Sequence, residues 1–262
     1  MSELPDTLRA ALEVFVQRSR VLVAADFDGV LAPLVHDPLQ ARALPGGLEA
    51  LRAAAAQDGV TAALVSGRDL ATLAALTGIG PGDGVALIGS HGAQTSLAPA
   101  QSSALLNDAA RARLSALNAE LESIRSRYPA VRLEHKPSAV VLHTRGVAPS
   151  VAAAATTAAH EVGRQHTGVF VLPGKDVVEL TVLEANKGVA LVDLARQTNS
   201  EATLYLGDDV TDERAFAALA PASGDLTVKV GDGETVAGQR VPGPEAVVEL
   251  LGLFVDRRRA RG

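Results

Sequence analysis

The apolar positions of this chain fall into short blocks, and the sharpest is Val21-Leu22-Val23-Ala24-Ala25, which runs directly into Asp26-Phe27-Asp28-Gly29. Apolar at every position, the block predicts a strand buried on both faces, as in a parallel sheet. Residues two apart in an extended chain point the same way, so Asp26 and Asp28 share one face while Phe27 takes the other. Gly29 lets the chain leave the strand sharply, and Pro33 bars it from continuing the ladder. Two carboxylates at the end of a buried strand repel one another and lose solvation, and a cation between them relieves both costs.

Helical and strand-like patterns alternate around that block. Leu8, Leu12, Phe15 and Val16 lie at helical spacing within residues 6–18. Pro45-Gly46 opens a second helix that runs through Gln57 and ends at Gly59. Val60 to Val65 is another apolar strand, closing on Ser66-Gly67-Arg68-Asp69, and Leu70, Leu73 and Leu76 mark the helix that follows. After turn-rich residues 78–84, Val85 to Ile88 forms a third strand, ending at Gly89-Ser90-His91-Gly92. Such alternation predicts an α/β domain with a parallel sheet, whose ligands bind beyond the carboxyl ends of the strands.

The pattern changes after about residue 97. Asn107 to Tyr128 reads as a long helix, followed by extended segments Val131–Lys136 and Ala139–Arg145 on either side of Pro137-Ser138. A helix over 149–166 precedes Gly168–Leu172 and Asp176–Leu183, which flank Pro173-Gly174. This order predicts an α+β unit, an antiparallel sheet backed by two helices. The α/β pattern then resumes. Asn186-Lys187-Gly188 opens a helix to Gln197, Ala202–Leu206 is a strand ending in Gly207-Asp208-Asp209, Arg214–Leu219 is helical, Leu226–Val230 is a strand and Glu245–Val255 a closing helix. The expected organisation is a parallel-sheet core from residues 1–97 and 184–262 with an inserted domain over 98–183.

Composition narrows the function classes. The 262 residues contain no cysteine, which rules out disulfides, thiolate catalysis and thiolate zinc sites. A net charge of −6 argues against a nucleic-acid partner. The sequence holds no apolar run long enough to span a membrane, and the acidic start Met-Ser-Glu-Leu-Pro-Asp is unlike a signal peptide, so the expected setting is the cytoplasm. The terminal Asp-Arg-Arg-Arg-Ala-Arg-Gly is expected to be a solvated, fraying tail.

Asp26, Asp28, Ser66, Lys187, Asp208 and Asp209 collect at the predicted strand ends and helix starts. Carboxylates, an ammonium and a hydroxyl are what magnesium-assisted phosphoryl transfer requires. One carboxylate can attack phosphorus while a second protonates the leaving oxygen and later deprotonates water. Singly, each residue has a plainer reading: Ser66, Asp208 and Asp209 suit helix caps, and Asp-x-Asp-Gly suits an acidic turn. The ordered set favours chemistry. A calcium loop fails on spacing, because Val30 stands at its fifth position and Leu31 at its glycine position. Gly168 to Lys175 is one residue too long for a P-loop, the glycines at 78–84 do not match Gly-x-Gly-x-x-Gly, and no Gly-x-Ser-x-Gly occurs.

Asp-Phe-Asp-Gly-Val-Leu, Ser66-Gly-Arg, Asn-Lys187-Gly and Gly-Asp208-Asp209-x-Thr-Asp212-Glu resemble the four motifs of the haloacid dehalogenase (HAD) superfamily of phosphatases. More narrowly, Gly89-Ser-His91-Gly92, Glu134-His-Lys136, His143-Thr-Arg145, Gly174-Lys175-Asp-Val-Val-Glu179-Leu and Gly207–Glu213 resemble the trehalose-6-phosphate phosphatase family. The resemblance spans the chain and implies a Rossmann-like HAD core carrying an inserted α+β cap. It implies hydrolysis of trehalose 6-phosphate to trehalose and phosphate through an aspartyl-phosphate, with Mg2+ as cofactor and a trehalose-6-phosphate synthase as candidate partner. By the same resemblance Asp26 is the nucleophile and Asp28 the general acid/base. Mg2+ is held by Asp26, the backbone carbonyl of Asp28 and Asp208, with Asp209 behind them and Asp212 orienting Lys187. Ser66, Gly67 and Lys187 hold the phosphate, and Arg68, His91, Gly92, Glu134, Lys136, Arg145, Lys175 and Glu179 face the substrate. The chain departs from the common pattern at Val30, where the superfamily usually has Thr, and at Gln94, where an acidic residue is frequent. Two alternatives stand beside this reading: a HAD phosphatase for another sugar phosphate, and a catalytically silent domain that binds one. If catalysis excludes water, the cap closes over the substrate and reopens.

Overall fold

The computed structural model describes residues 4–97, 106–136, 138–174, 176–182, 186–219 and 221–261. In chain order the helices are α1 (Asp6–Phe15), α2 (Gly47–Ala55), α3 (Leu70–Thr77), α4 (Asp108–Arg127), α5 (Pro149–Gln165), α6 (Lys187–Gln197), α7 (Val210–Ala218) and α8 (Pro244–Arg261). The strands are β1 (Val21–Ala25), β2 (Val60–Val65), β3 (Val85–Gly89), β4 (Gln94–Thr95), β5 (Arg132–His135), β6 (Ala139–His143), β7 (Phe170–Gly174), β8 (Val177–Thr181), β9 (Ala202–Gly207), β10 (Leu226–Val230) and β11 (Gln239–Val241). Two compact units result, one from residues 1–96 and 186–262, the other from 97–185.

The first unit is built on a seven-stranded sheet in the order β11-β10-β9-β1-β2-β3-β4, parallel throughout except for the short β4. All five residues of β1 are buried. Val21, Val23 and Ala25 join a core with Leu8, Leu12, Phe15 and Phe254, while Leu22 and Ala24 face the opposite side. A strand with apolar residues on both faces is stable only where helices cover both, hence the helix after nearly every strand. Ala25 lies opposite Leu64 of β2 and Leu206 of β9. That register brings the ends of three strands level, so Asp26, Ser66 and Asp208 emerge along one edge.

The second unit is a four-stranded antiparallel sheet, β5-β6-β8-β7, with α4 and α5 against one face. Val140, Leu142, Val178 and Leu180 pack on Leu117, Leu121, Ile124, Ala155 and Ala159. Alternation turns Glu134, Val141 and Glu179, which are cross-strand partners, to the other face. Pro173 sits in β7, an edge strand, where a missing N–H disrupts no interior ladder.

Three features differ from the sequence expectation. Helix α7 starts at Val210 rather than Arg214, because Asp209 caps it by accepting from Thr211 N and Asp212 N. Strands β4 and β11 are too short to leave a pattern. The arginine-rich terminus is no fraying tail: α8 continues to Arg261, and Arg258, 8% exposed, donates to the carbonyls of Val16, Arg18 and Asp58. Those carbonyls lie past the end of α1 and before β2, so the arginine satisfies acceptors that local structure leaves open. Among the described residues no helix is long and apolar enough to cross a membrane.

Candidate active site

Asp26 follows β1 directly and is 4% exposed. Its Oδ1 accepts from Phe27 N at 2.6 Å, and its Oδ2 accepts from Lys187 Nζ at 2.6 Å. Lys187 opens α6, is 1% exposed, and gives a second bond to Asp212 Oδ1 at 2.7 Å. Burial pushes the Asp26 carboxyl well above its usual range, Lys187 pulls it down and Asp212 pushes it up again. Burial also opposes the Lys187 charge, but Asp26 and Asp212 outweigh it and hold the ammonium above the ordinary lysine range. Two buried carboxylates thus share one cation, a net negative pocket that draws a further positive charge.

Asp212 is fully buried and saturated. Besides Lys187, Oδ1 accepts from Tyr205 Oη at 2.6 Å, and Oδ2 accepts from Asp208 N at 2.8 Å and Asp209 N at 3.1 Å. Asp209 caps α7 and lies 3.8 Å from Lys187. Asp208 is pushed up to about 6 by burial first, then by Asp212 and Asp209. Lys229, a buried lysine of β10, donates to the Asp208 backbone carbonyl.

Carboxylate oxygens of Asp26, Asp208 and Asp212 lie within 4.8 Å of one another. They fit a hard divalent cation, which favours oxygen ligands and supports the ionised forms that burial, with neighbouring carboxylates, opposes in Asp26 and Asp208. With both Asp212 oxygens already bonded twice, Asp26 and Asp208 are the members with capacity to spare. Gly29 makes room for this arrangement: its φ is +73°, and a Cβ there would fall 1.9 Å from Asp208 Oδ2.

The Asp28 carboxylate lies apart from that cluster. Arg68 grips it with Nε to Oδ2 at 2.6 Å and Nη2 to Oδ1 at 2.7 Å, the guanidinium standing 5.7 Å over the Phe27 ring. Ser66 follows β2 and is 1% exposed, and its Oγ accepts from Arg68 N at 3.1 Å. His91 sits in a tight turn after β3 with φ 55°, its N–H donating to Ser66 O at 2.9 Å. The imidazole crosses Gly67 so closely that a Cβ there would meet Cε1 at 2.5 Å. Burial, then Lys187, lowers the His91 pKa and so favours the neutral ring. Gly92 closes the turn against the Asn186 carbonyl. Gln94 accepts from Leu70 N and the Ser90 hydroxyl, tying the turn to the start of α3.

A cavity of about 470 Å³ opens over this edge, lined by Asp26, Asp28, Ser66, Arg68, His91 and Asp208 among others. Of the sequence-predicted residues of the first unit, Gly67 and Asp209 also line this cavity, whereas Lys187, Asp212 and Gly92 do not. Lys187 is buried and bonded to Asp26, and Asp212 is buried and bonded to Lys187. In the second unit Lys136 Nζ meets Glu179 Oε2 at 2.6 Å, His143 Nε2 meets Glu134 Oε2 at 2.9 Å, and Arg145 is exposed. Lys175 lies outside the described residues. Sequence reasoning missed Tyr205 and Lys229. A polar-tipped aromatic and a lysine inside otherwise apolar strands were the available signals.

A family profile described as trehalose-phosphatase matches residues 24–240. The trehalose-phosphate phosphatase of Mycobacterium tuberculosis (strain ATCC 25618 / H37Rv) is 35% identical over 274 positions, covering 98% of this chain and 66% of its own length. That of Mycobacterium marinum (strain ATCC BAA-535 / M) is 34% identical, covering 100% of this chain and 68% of its own. The chain thus spans about two thirds of the length of these relatives. Among solved structures, Aspergillus fumigatus trehalose-6-phosphate phosphatase superposes with a TM-score of 0.59 at 24% identity, covering 95% of this chain and 97% of that one. The C-terminal domain of the C. albicans trehalose-6-phosphate phosphatase gives 0.58 at 22%, covering 97% and 99%. Both share its fold.

Proposed function

The chain belongs to the trehalose-phosphatase family, and from that premise we propose that it is a Mg2+-dependent phosphatase hydrolysing trehalose 6-phosphate to trehalose and phosphate. The observation that carries the reading is Asp26, a buried carboxylate at a strand end whose Oδ2 is bonded to Lys187 at 2.6 Å. A carboxylate fixed in this way is oriented for attack without any search among rotamers.

In the first step an Asp26 oxygen bonds to phosphorus while the bond from phosphorus to the sugar oxygen breaks, its electron pair leaving with the sugar. Asp28 gives that oxygen its proton. In the second step water attacks phosphorus, Asp28 takes the water's proton and the Asp26–phosphorus bond breaks. Free enzyme and phosphate are restored, and Asp28 is again protonated. Ser66, the adjoining N–H of Gly67 and Lys187 hold the phosphate oxygens. Asp26, Asp208 and the Asp28 backbone carbonyl would hold Mg2+, which supplies neutralising charge to the phosphate when bound. The second unit's Glu134, Lys136, Arg145, Lys175 and Glu179 would contact the disaccharide, where charged groups make the strong bonds sugar hydroxyls need. A sugar-phosphate substrate suits a cytoplasmic setting and a synthase partner upstream.

Phosphate release from a panel of sugar phosphates, with Mg2+ and with EDTA, tests the reading. Mg2+-dependent turnover of trehalose 6-phosphate, well above glucose 6-phosphate, is the expected result. Equal turnover of the two would overturn the choice of substrate, and no turnover of any would overturn the phosphatase.

A further inference from the structure

Tyr205 takes no part in the chemistry set out above, yet its hydroxyl ends on the carboxylate that shares Lys187 with Asp26. In β9, Leu204 and Leu206 face the main core, so alternation turns Tyr205 to the other side of the sheet. There its ring packs on Phe216 with centroids 5.8 Å apart. A phenylalanine would fill that space equally well. The hydroxyl, fully buried, is stable only because Asp212 Oδ1 accepts from it at 2.6 Å. The same oxygen accepts from Lys187 Nζ at 2.7 Å, and Lys187 reaches Asp26 at 2.6 Å.

We propose that Tyr205 is a positioning residue that sets how Lys187 divides its attraction between Asp212 and Asp26, and so how firmly the ammonium holds the phosphate. The inference rests on the phosphatase reading. Two donors on one oxygen compete for its charge. With the hydroxyl present, part of the Oδ1 charge is spent on Tyr205 and Lys187 stays available to Asp26 and the substrate. With the hydroxyl removed, Oδ1 is free to draw Lys187 back toward Asp212. The other Asp212 oxygen offers no escape, since Asp208 N and Asp209 N hold it. Burial, reinforced by Asp212, keeps the phenol protonated and therefore a donor.

Tyr205→Phe removes the hydroxyl and keeps the ring. With an aryl phosphate as substrate, kcat/KM should fall about tenfold and inhibition by inorganic phosphate should weaken by a similar factor, the size expected for losing a hydrogen bond to a charged group. In an Asp212→Asn background the same change should have little further effect. An independent readout uses the composition: Tyr128 and Tyr205 are the two tyrosines. Protein labelled with 3-fluorotyrosine should give two fluorine resonances, assigned by Tyr205→Phe or, if that variant does not fold, by Tyr128→Phe. Inorganic phosphate should shift the Tyr205 resonance and leave that of Tyr128 in place. An active wild type whose Tyr205 resonance does not move with phosphate would overturn the inference alone, as would one whose phosphate inhibition survives Tyr205→Phe unchanged. A wild type that hydrolyses no phosphate ester would overturn the phosphatase reading and the inference with it.

Discussion

Arg68 holds both carboxylate oxygens of Asp28, at 2.6 and 2.7 Å, with its own backbone N–H bonded to Ser66 Oγ. A two-pronged grip fixes orientation as well as distance. The residue read from its motif as a substrate contact therefore also orients Asp28, held here as a carboxylate. One of the Asp28 oxygens must leave Arg68 to carry the proton that Asp28 gives the sugar oxygen. Arg68→Ala should lower kcat for a sugar phosphate by about tenfold or more, since its leaving oxygen needs a proton. An aryl phosphate, whose leaving group departs unprotonated, should be affected far less. Steady-state kinetics with the two substrates measures the difference.

Lys187 is bonded to both Asp26 and Asp212. Lys187→Met leaves two buried carboxylates without their shared partner, a change that costs about 3–5 kcal/mol for buried pairs. Urea unfolding should show a loss of that order, and phosphate release should fall to background.

Gly29 has no room for a side chain, because Asp208 Oδ2 would lie 1.9 Å from its Cβ. Gly29→Ala must push Asp208 aside or distort a backbone held at φ +73°. Mg2+ affinity by calorimetry should drop about tenfold or more, in the range seen when metal ligands lose their orientation, with a matching rise in the Mg2+ needed for activity.

How much of this was legible in the sequence depended on range. Buried strands and amphipathic helices leave a pattern of their own residues, and β1, β2 and α6 follow it. Asp209 as a cap was visible too, though the helix it opens was read as starting at Arg214. What the pattern could not carry was contact between distant residues. Arg258 looked like one of several tail arginines because its acceptors, Val16, Arg18 and Asp58, lie far back in the chain. Tyr205 looked like an ordinary strand aromatic because Asp212 reaches it only after the chain has turned into α7.

Arg258→Ala tests that correction. It leaves the Asp58 carbonyl without its donor, while Arg261 still reaches the carbonyls of Val16 and Arg18. An unpaired buried group costs about 1–3 kcal/mol. Urea denaturation should show a shift of that size, whereas Arg259→Ala, on an exposed position, should leave the midpoint in place.

Stability should also carry an acid-side signature at Asp69, the cap of α3. Partial burial opposes its charge, but bonds from the Thr72 hydroxyl and the Thr72 N–H outweigh it and hold the carboxyl below its usual range. A depressed folded-state pKa stabilises at pH values above the ordinary carboxylate value and is lost as pH falls through the folded value. Asp69→Ala should therefore lower Tm by about 2–4 °C at pH 7, the effect of losing a cap in a protein of this size. The gap should close as the pH falls below about 4. Thermal melts across that range decide it.

Trapping the covalent intermediate tests Asp26 most directly. Asp28→Asn should slow its breakdown, and an aryl phosphate forms it without needing the acid. Borohydride reduction of the quenched mixture, followed by peptide mass spectrometry, should find the reduced side chain at position 26 and nowhere else. Reduction at another carboxylate, or an unmodified position 26 in a protein that has turned over substrate, would contradict the account.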